Sequence, residues 1–243
     1  VFGQSFVGKL AFPSANVSDR LEKTFTSVNF NMMIMIIYAL ITIAIFGMWY
    51  YARYEGNFLP SPKKTFNPMM IVAIVILVPG TQFAANFIAN LTGYIRPDWL
   101  QQYNELFETS GITDTTFVTV LYSVILAPIC EELIFRGVTM RCARKALPFA
   151  LANLMQAALF GLFHLNWIQG IYAFALGIVL GYVCERGGSI YYSIGLHLLF
   201  NLWGTLSGFF PDPGNSAVVF VIVIAVTIVS LVAGFVLFNK GRR

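Results

Sequence analysis

Charged residues are scarce in this sequence. Asp, Glu, Lys and Arg make up only 11% of the 243 residues, whereas 58% are hydrophobic, and the mean hydropathy is +0.74. Soluble domains carry about 25% charged residues, because their surfaces must stay hydrated. The composition therefore excludes an ordinary soluble domain and predicts a protein that lies in a bilayer.

Cysteine is also rare, and the basic residues form no continuous patch. Cys130, Cys142 and Cys184 form no CxxC pair, which argues against a disulfide scaffold or a cysteine metal cluster. We interpret them as small apolar packing residues. The formal net charge is only +4 and its lysines and arginines are dispersed, so we expect no nucleic-acid partner.

Long apolar runs recur along the whole chain. A membrane span needs about 20 apolar residues, and candidate segments lie near residues 30–52, 66–94, 115–140, 149–166, 168–185, 189–210 and 217–238. They predict an all-α fold: a polytopic transmembrane bundle of about seven to eight membrane helices, forming a single integral-membrane domain over residues 1–243. Residues 1–29 are expected to be an interfacial or re-entrant stretch, or the tail of a preceding span. Residues 95–114 are expected to form a compact outer loop.

The loops between these segments alternate in charge. Basic loops carry Arg53, Lys63, Lys64, Arg141, Arg144 and Lys145, and the chain ends with Lys240, Arg242 and Arg243. The opposite loops carry Asp98, Glu105, Glu108, Asp114 and Asp212. Under the positive-inside rule, the C-terminus is cytoplasmic, and the membrane is the plasma membrane if the source is prokaryotic. Carriers built from inverted repeats show two similar halves, and we find none.

Few ionisable residues lie within the spans. Tyrosine and cysteine aside, they are Glu131, Glu132, Arg136, His164 and His197, which include both histidines of the protein. A charge near the bilayer centre costs at least ~2.5–3.5 kcal/mol on insertion scales. Clustering lets such groups neutralise one another, so we predict one buried functional site.

Local spacing assigns different roles to the two acids. Glu132 and Arg136 are i,i+4 with the acid first, the favourable order for an ion pair. Glu131 points about 100° away around the helix, which leaves it free to hold or take a proton. Pro128 removes a backbone hydrogen bond just upstream and is expected to bend the helix there.

Depth arguments extend the cluster to the histidines. If two spans turn near residues 147–148, Glu131 and His164 each lie about 16 residues from the tip and face each other at the same level. His197 lies about 10 residues past Gly187–Gly188, which matches this level only if the first turn projects ~9 Å into water. His197 and Asn201 are i,i+4, so both project from one face of their helix.

Three ordered motifs identify a family. Glu131-Glu132-x-x-x-Arg136, Phe160-x-x-x-His164 and His197-x-x-x-Asn201 resemble the CPBP family, also called Abi. That family includes type II CAAX prenyl endopeptidases and bacteriocin-processing or immunity proteins. The resemblance covers residues 115–205, which we take as the catalytic core.

The resemblance implies a membrane-embedded endopeptidase. It assigns Glu131 as general base on a water, His164 as the group that orients the water, and His197 with Asn201 as the oxyanion donors. Glu132 and Arg136 complete the catalytic set, although their spacing alone also fits a purely structural ion pair. Phe160 is the candidate substrate contact, with helix packing as its alternative, and Asn201 alternatively bridges helices.

Metal use stays open at this point. Glu131, His164 and His197 are the ligand set that zinc would use, with a water in the fourth position. HExxH is absent, however, and Glu131 can activate water without a metal. We favour metal-free catalysis slightly. No serine lies in a GxSxG setting, so a serine nucleophile is not predicted.

Two other functions compete with the enzyme. Intramembrane Glu and His also relay protons in transporters, and a non-catalytic immunity or binding protein can share the same scaffold. For the enzyme, the expected partners are the lipid bilayer and a membrane-associated peptide or lipidated protein substrate. A prenylated CAAX-type peptide, a leader peptide and a pheromone precursor all fit.

Overall fold

The fold is an all-α helical bundle. The computed structural model describes residues 28–55, 67–110, 116–207 and 216–242, together with Asn16 and Asp19. These residues form eight helices and no β-strand. The predicted all-α class is thereby confirmed, whereas the expectation for the stretch before residue 28 falls outside the described residues, apart from those two positions.

The helices follow the predicted apolar segments. In chain order they are α1 Val28–Tyr50, with a π-helical extension Tyr51–Glu55; α2 Pro68–Ile95; α3 Pro97–Ser110; α4 Phe117–Ala143; α5 Phe149–Phe163; α6 Trp167–Gly187; α7 Ile190–Ser207; and α8 Ala217–Gly241. Among the described residues, α1, α2, α4, α6 and α8 are long and apolar enough to cross a membrane. The protein is therefore an integral membrane protein. The shorter helices α5 and α7 have 15 and 18 residues.

One predicted loop contains a helix. Residues 95–114 were expected to form a compact loop, but Pro97–Ser110 is helical and packs on α2 and α6. Trp99 and Tyr103 lie four residues apart and are partly buried, whereas Asp98 and Glu105 are exposed. Trp99 stacks on Trp167 at the start of α6, with ring centroids 5.3 Å apart.

A proline in α2 is accommodated by α8. Pro79 cannot continue the helical hydrogen bonding, so the Ser230 hydroxyl donates to the Ile76 carbonyl and accepts from Gly80 N at 2.9 Å. A Cβ at Gly80 would lie 2.8 Å from Ser230 Oγ. The absence of a side chain at this position thus allows the two helices to meet closely.

Helix α4 carries the first motif and is irregular. It contains two π-helical stretches, Leu121–Leu126 and Leu133–Met140. It contacts α1, α5 and α7, and Phe135 carries it into the main apolar core. Wide turns of this kind occur frequently at functional sites, and the acids of the first motif lie between the two stretches.

Candidate active site

Glu132 and Arg136 form an ion pair that is completely shielded from solvent. Glu132 Oε1 lies 2.8 Å from Arg136 Nη1, and both side chains are 0% exposed. The sequence prediction of an i,i+4 pair is confirmed. Since a buried charge without a partner is strongly destabilising, each side chain needs the other.

The arginine extends the pair to two further helices. Its Nη2 donates to the carbonyl of Gly177 in α6 at 3.2 Å, and its guanidinium lies 4.5 Å from the ring centroid of Phe160 in α5. A Cβ at Gly177 would lie 3.1 Å from Ala157 Cα and 3.2 Å from Phe160 Cδ1. Glycine at this position therefore lets α6 approach α5 and brings its carbonyl within reach.

Two amides complete this polar network, and the sequence reasoning missed both. Gln156 donates to the Gly177 carbonyl at 2.9 Å and to Asn153 Oδ1 at 2.7 Å, while Asn153 donates to the Ile178 carbonyl at 3.0 Å. The available signal was two amides in an otherwise apolar span. Neither side chain is ionisable, so the cost of a charge in a bilayer does not single them out.

His197 lies between the two glutamates. Its Nδ1 is 2.9 Å from Glu132 Oε1, and its Nε2 is 3.6 Å from Glu131 Oε2. Because the ion-paired carboxylate accepts, Nδ1 carries a hydrogen, and Nε2 is the ring atom that faces Glu131. Glu132 thus fixes both the orientation and the tautomer of His197, beyond its pairing with Arg136.

His164 is held by its own helix. It stands at the C-terminal end of α5, where its Nδ1 lies 2.9 Å from the Phe160 carbonyl oxygen. A carbonyl only accepts, so this ring is also the Nδ1–H tautomer with its Nε2 open. The next residue, Leu165, has φ 53° and is 94% exposed. A non-glycine residue in the left-handed region is strained.

The contact made by Glu131 differs from the expectation. The sequence predicted that Glu131 faces His164 at matched depth, but the imidazole that lies against its carboxylate is that of His197. Counting residues along a helix fixes the level of a side chain and leaves its direction around the axis open. The Glu131 side chain is 15% exposed, so among these buried acids it is the one that water can reach.

Phe160 joins the two histidines. Its ring centroid lies 4.9 Å from that of His164 and 5.7 Å from that of His197, edge to face in both cases. The residue is only 1% exposed. This packing holds the rings in place, and the predicted substrate contact of Phe160 stays a prediction.

Asn201 links α7 to the wide turn of α4. Its Nδ2 donates to the Ser123 carbonyl at 2.8 Å, within the first π-helical stretch. This is the helix-bridging alternative that the sequence allowed. An amide nitrogen carries two hydrogens, so the bond leaves one for another acceptor.

The predicted zinc ligands do not form a ligand set in this geometry. Among the described residues, no three His, Cys, Asp or Glu side chains converge closely enough to hold a metal ion. His197 Nε2 lies 3.6 Å from Glu131 Oε2, and no contact within ion-pair distance joins His164 to either glutamate among the described residues. We therefore derive no step through a metal.

Fold and site together define a class of protein. Helices α4, α5, α6 and α7 bring together two glutamates, one arginine and two histidines, which is the composition of a catalytic or proton-handling site inside a membrane. Residues 113–203, which contain all three motifs, match the family model described as type II CAAX prenyl endopeptidase Rce1-like. Comparison with curated proteins and with solved structures gave no match.

Proposed function

We propose that the protein is an intramembrane endopeptidase that hydrolyses a peptide bond of a membrane-associated substrate. The observation that carries the proposal is the placement of His197, which touches both glutamates through its two nitrogens. The family match over residues 113–203 supports the same activity in general terms. The catalytic core proposed for residues 115–205 holds every residue used below.

The net charge of the buried cluster suggests that it holds one additional proton. If both histidines are neutral, Glu131, Glu132 and Arg136 together carry one net negative charge. The lone pair of His197 Nε2 then faces a lone pair of the Glu131 carboxylate. One added proton neutralises the cluster and joins these two atoms. A low-dielectric interior favours the neutral cluster.

The different partners of the two histidines suit different tasks. We place this proton on His197, which bonds Glu132 through Nδ1 and would then donate from Nε2. His164 bonds the Phe160 carbonyl through Nδ1, which leaves Nε2 to accept a hydrogen bond from water. His197 is therefore the oxyanion donor, and His164 orients the attacking water.

The reaction then proceeds with balanced protons. Glu131 takes a proton from the water that His164 orients, and the hydroxide attacks the peptide carbonyl carbon. The oxyanion accepts hydrogen bonds from His197 Nε2–H and from the second N–H of Asn201. Glu131 returns its proton to the leaving nitrogen as the C–N bond breaks.

The substrate is proposed from the site and the family together. An active site in the apolar interior favours a peptide that is already held in the membrane, either prenylated at a CAAX-type C-terminus or carrying an apolar leader. The proposed location is the plasma membrane if the source is prokaryotic, with the C-terminus in the cytoplasm. The distribution of basic loops supports this orientation.

Cleavage products test the proposal. Membranes containing the wild type or Glu131→Gln are compared by mass spectrometry of released peptides, with Glu185→Gln as the matched control because Glu185 pairs with Arg144 outside the site. Cleavage should persist in the control and be lost in Glu131→Gln. Full cleavage by Glu131→Gln contradicts the mechanism. Proton-coupled flux without any cleavage would favour the transporter, and an intact phenotype in Glu131→Gln would favour the immunity protein.

A further inference from the structure

A polar cleft lies outside the catalytic cluster, where α6 and α8 both end. Its volume is about 440 Å³, and its lining residues are Tyr182, Arg186, Asn239 and Arg242. None of them belongs to the three motifs. The cleft opens at the end of the bundle that carries the basic loops.

The cleft presents positive charge without a protein counter-ion. Among the described residues, neither Arg186 nor Arg242 lies within ion-pair distance of a carboxylate, since the neighbouring Glu185 pairs with Arg144 at 3.1 Å. The Tyr182 hydroxyl donates to Asn239 Oδ1 at 2.9 Å, which fixes the floor of the cleft. Two cations above a polar floor match an anionic group.

An apolar groove continues from this cleft along the same helices. It has a volume of about 340 Å³ and is lined by Ile178, Val179, Tyr182 and Phe235. Tyr182 lines both spaces, and its ring meets Phe235 edge to face at 5.4 Å. Ile178 lies eight residues before Arg186, or ~12 Å along the helix axis.

We propose that this cleft and groove form a binding site for an anionic phospholipid. The phosphate lies between Arg186 and Arg242, and an acyl chain follows the groove past Tyr182 toward Ile178. A soluble anion fills only the cleft and a neutral lipid only the groove, whereas an anionic lipid uses both. Basic pockets between membrane helices on the cytoplasmic side bind acidic lipid head groups by this chemistry.

Lipid binding to the purified protein tests the site. The protein is held in phosphatidylcholine nanodiscs, and phosphatidylglycerol is titrated while retained lipid is counted by native mass spectrometry. Each arginine near an anionic surface contributes roughly a fivefold gain. Arg186→Gln and Arg242→Gln should each weaken retention by about fivefold, and the double variant by about 30-fold. Circular dichroism checks that each variant stays folded.

Two controls separate this site from general attraction. Arg53→Gln removes the same charge from an exposed arginine at the end of α1 and should change retention by less than about twofold. Val179→Trp fills the groove and should reduce lipid retention while leaving binding of glycerol phosphate unchanged. Equal losses in Arg53→Gln and Arg186→Gln overturn the proposal, as does equal retention of phosphatidylcholine. If an equal concentration of glycerol phosphate displaces the lipid, the cleft binds a free anion and the lipid proposal is overturned.

Discussion

Removing the buried ion pair in two stages separates its structural role from its catalytic one. Glu132 and Arg136 are both 0% exposed and 2.8 Å apart. Removing one partner of such a pair costs about 3–5 kcal/mol, because the other charge stays buried. We expect Arg136→Leu to lower the free energy of unfolding by an amount in this range. Glu132→Leu should lie at its upper end, because it also strips the acceptor from His197 Nδ1.

The double variant should be more stable than either single one. With both charges gone, the main remaining defect is the unpaired Nδ1–H of His197, which costs about 1–3 kcal/mol. Unfolding in mixed micelles followed by circular dichroism measures all three free energies. Activity should stay absent in the double variant, because His197 has lost the carboxylate that orients it.

An exposed pair in the same protein serves as the control. Arg144 and Glu185 are 3.1 Å apart, but about one third of each side chain is exposed, so Arg144→Leu should cost less than about 1 kcal/mol. A double variant of Glu132 and Arg136 as unstable as its single parents would refute the coupling. Recovery of cleavage in that double variant would show that the pair is structural only.

Three further changes test the rest of the site. Gly177→Ala places a Cβ 3.1 Å from Ala157 and 3.2 Å from Phe160, so it should destabilise the protein by about 1–3 kcal/mol in the same unfolding assay; unchanged stability would contradict the close approach of the two helices. Asn201→Ala should lower kcat by roughly 10²–10³-fold with little change in KM, as expected for an oxyanion donor. A loss of stability with kcat unchanged would instead show that Asn201 only bridges two helices. Leu165→Gly should raise the free energy of unfolding by about 1 kcal/mol, because glycine adopts φ 53° without strain, and a loss of stability there would refute the strain argument.

The sequence predicted the composition of the site better than its contacts. Scarce intramembrane charges must cluster, and an i,i+4 spacing suffices to pair Glu132 with Arg136. The partner of Glu131 could not be derived in this way, because the π-helical stretches of α4 change the direction of its side chains. Those wide turns have no marker in the sequence comparable to a proline or a glycine pair.

The all-α fold could be predicted from the lengths of the apolar segments. The features that were not predicted have physical reasons. Helix α3 was missed because its charges suggested a loop, although its apolar residues recur at helical spacing. Gln156 and Asn153 were not predicted as part of the site. The free-energy cost of placing an uncharged amide in a bilayer is smaller than that of a charge, so an amide is weaker evidence of a functional cluster. Their importance follows only from Gly177, whose carbonyl they reach because that position has no side chain.

The hydroxyl of Ser230 ties the last helix to the second one. The Ile76 carbonyl and the Gly80 N–H are i to i−4 partners of the helix, and the Ser230 hydroxyl bonds both of them beside Pro79. Helices α2 and α8 are therefore one folding unit, although about 120 residues separate them along the chain. A side chain from the last described helix therefore completes the hydrogen bonding at the proline of the second one.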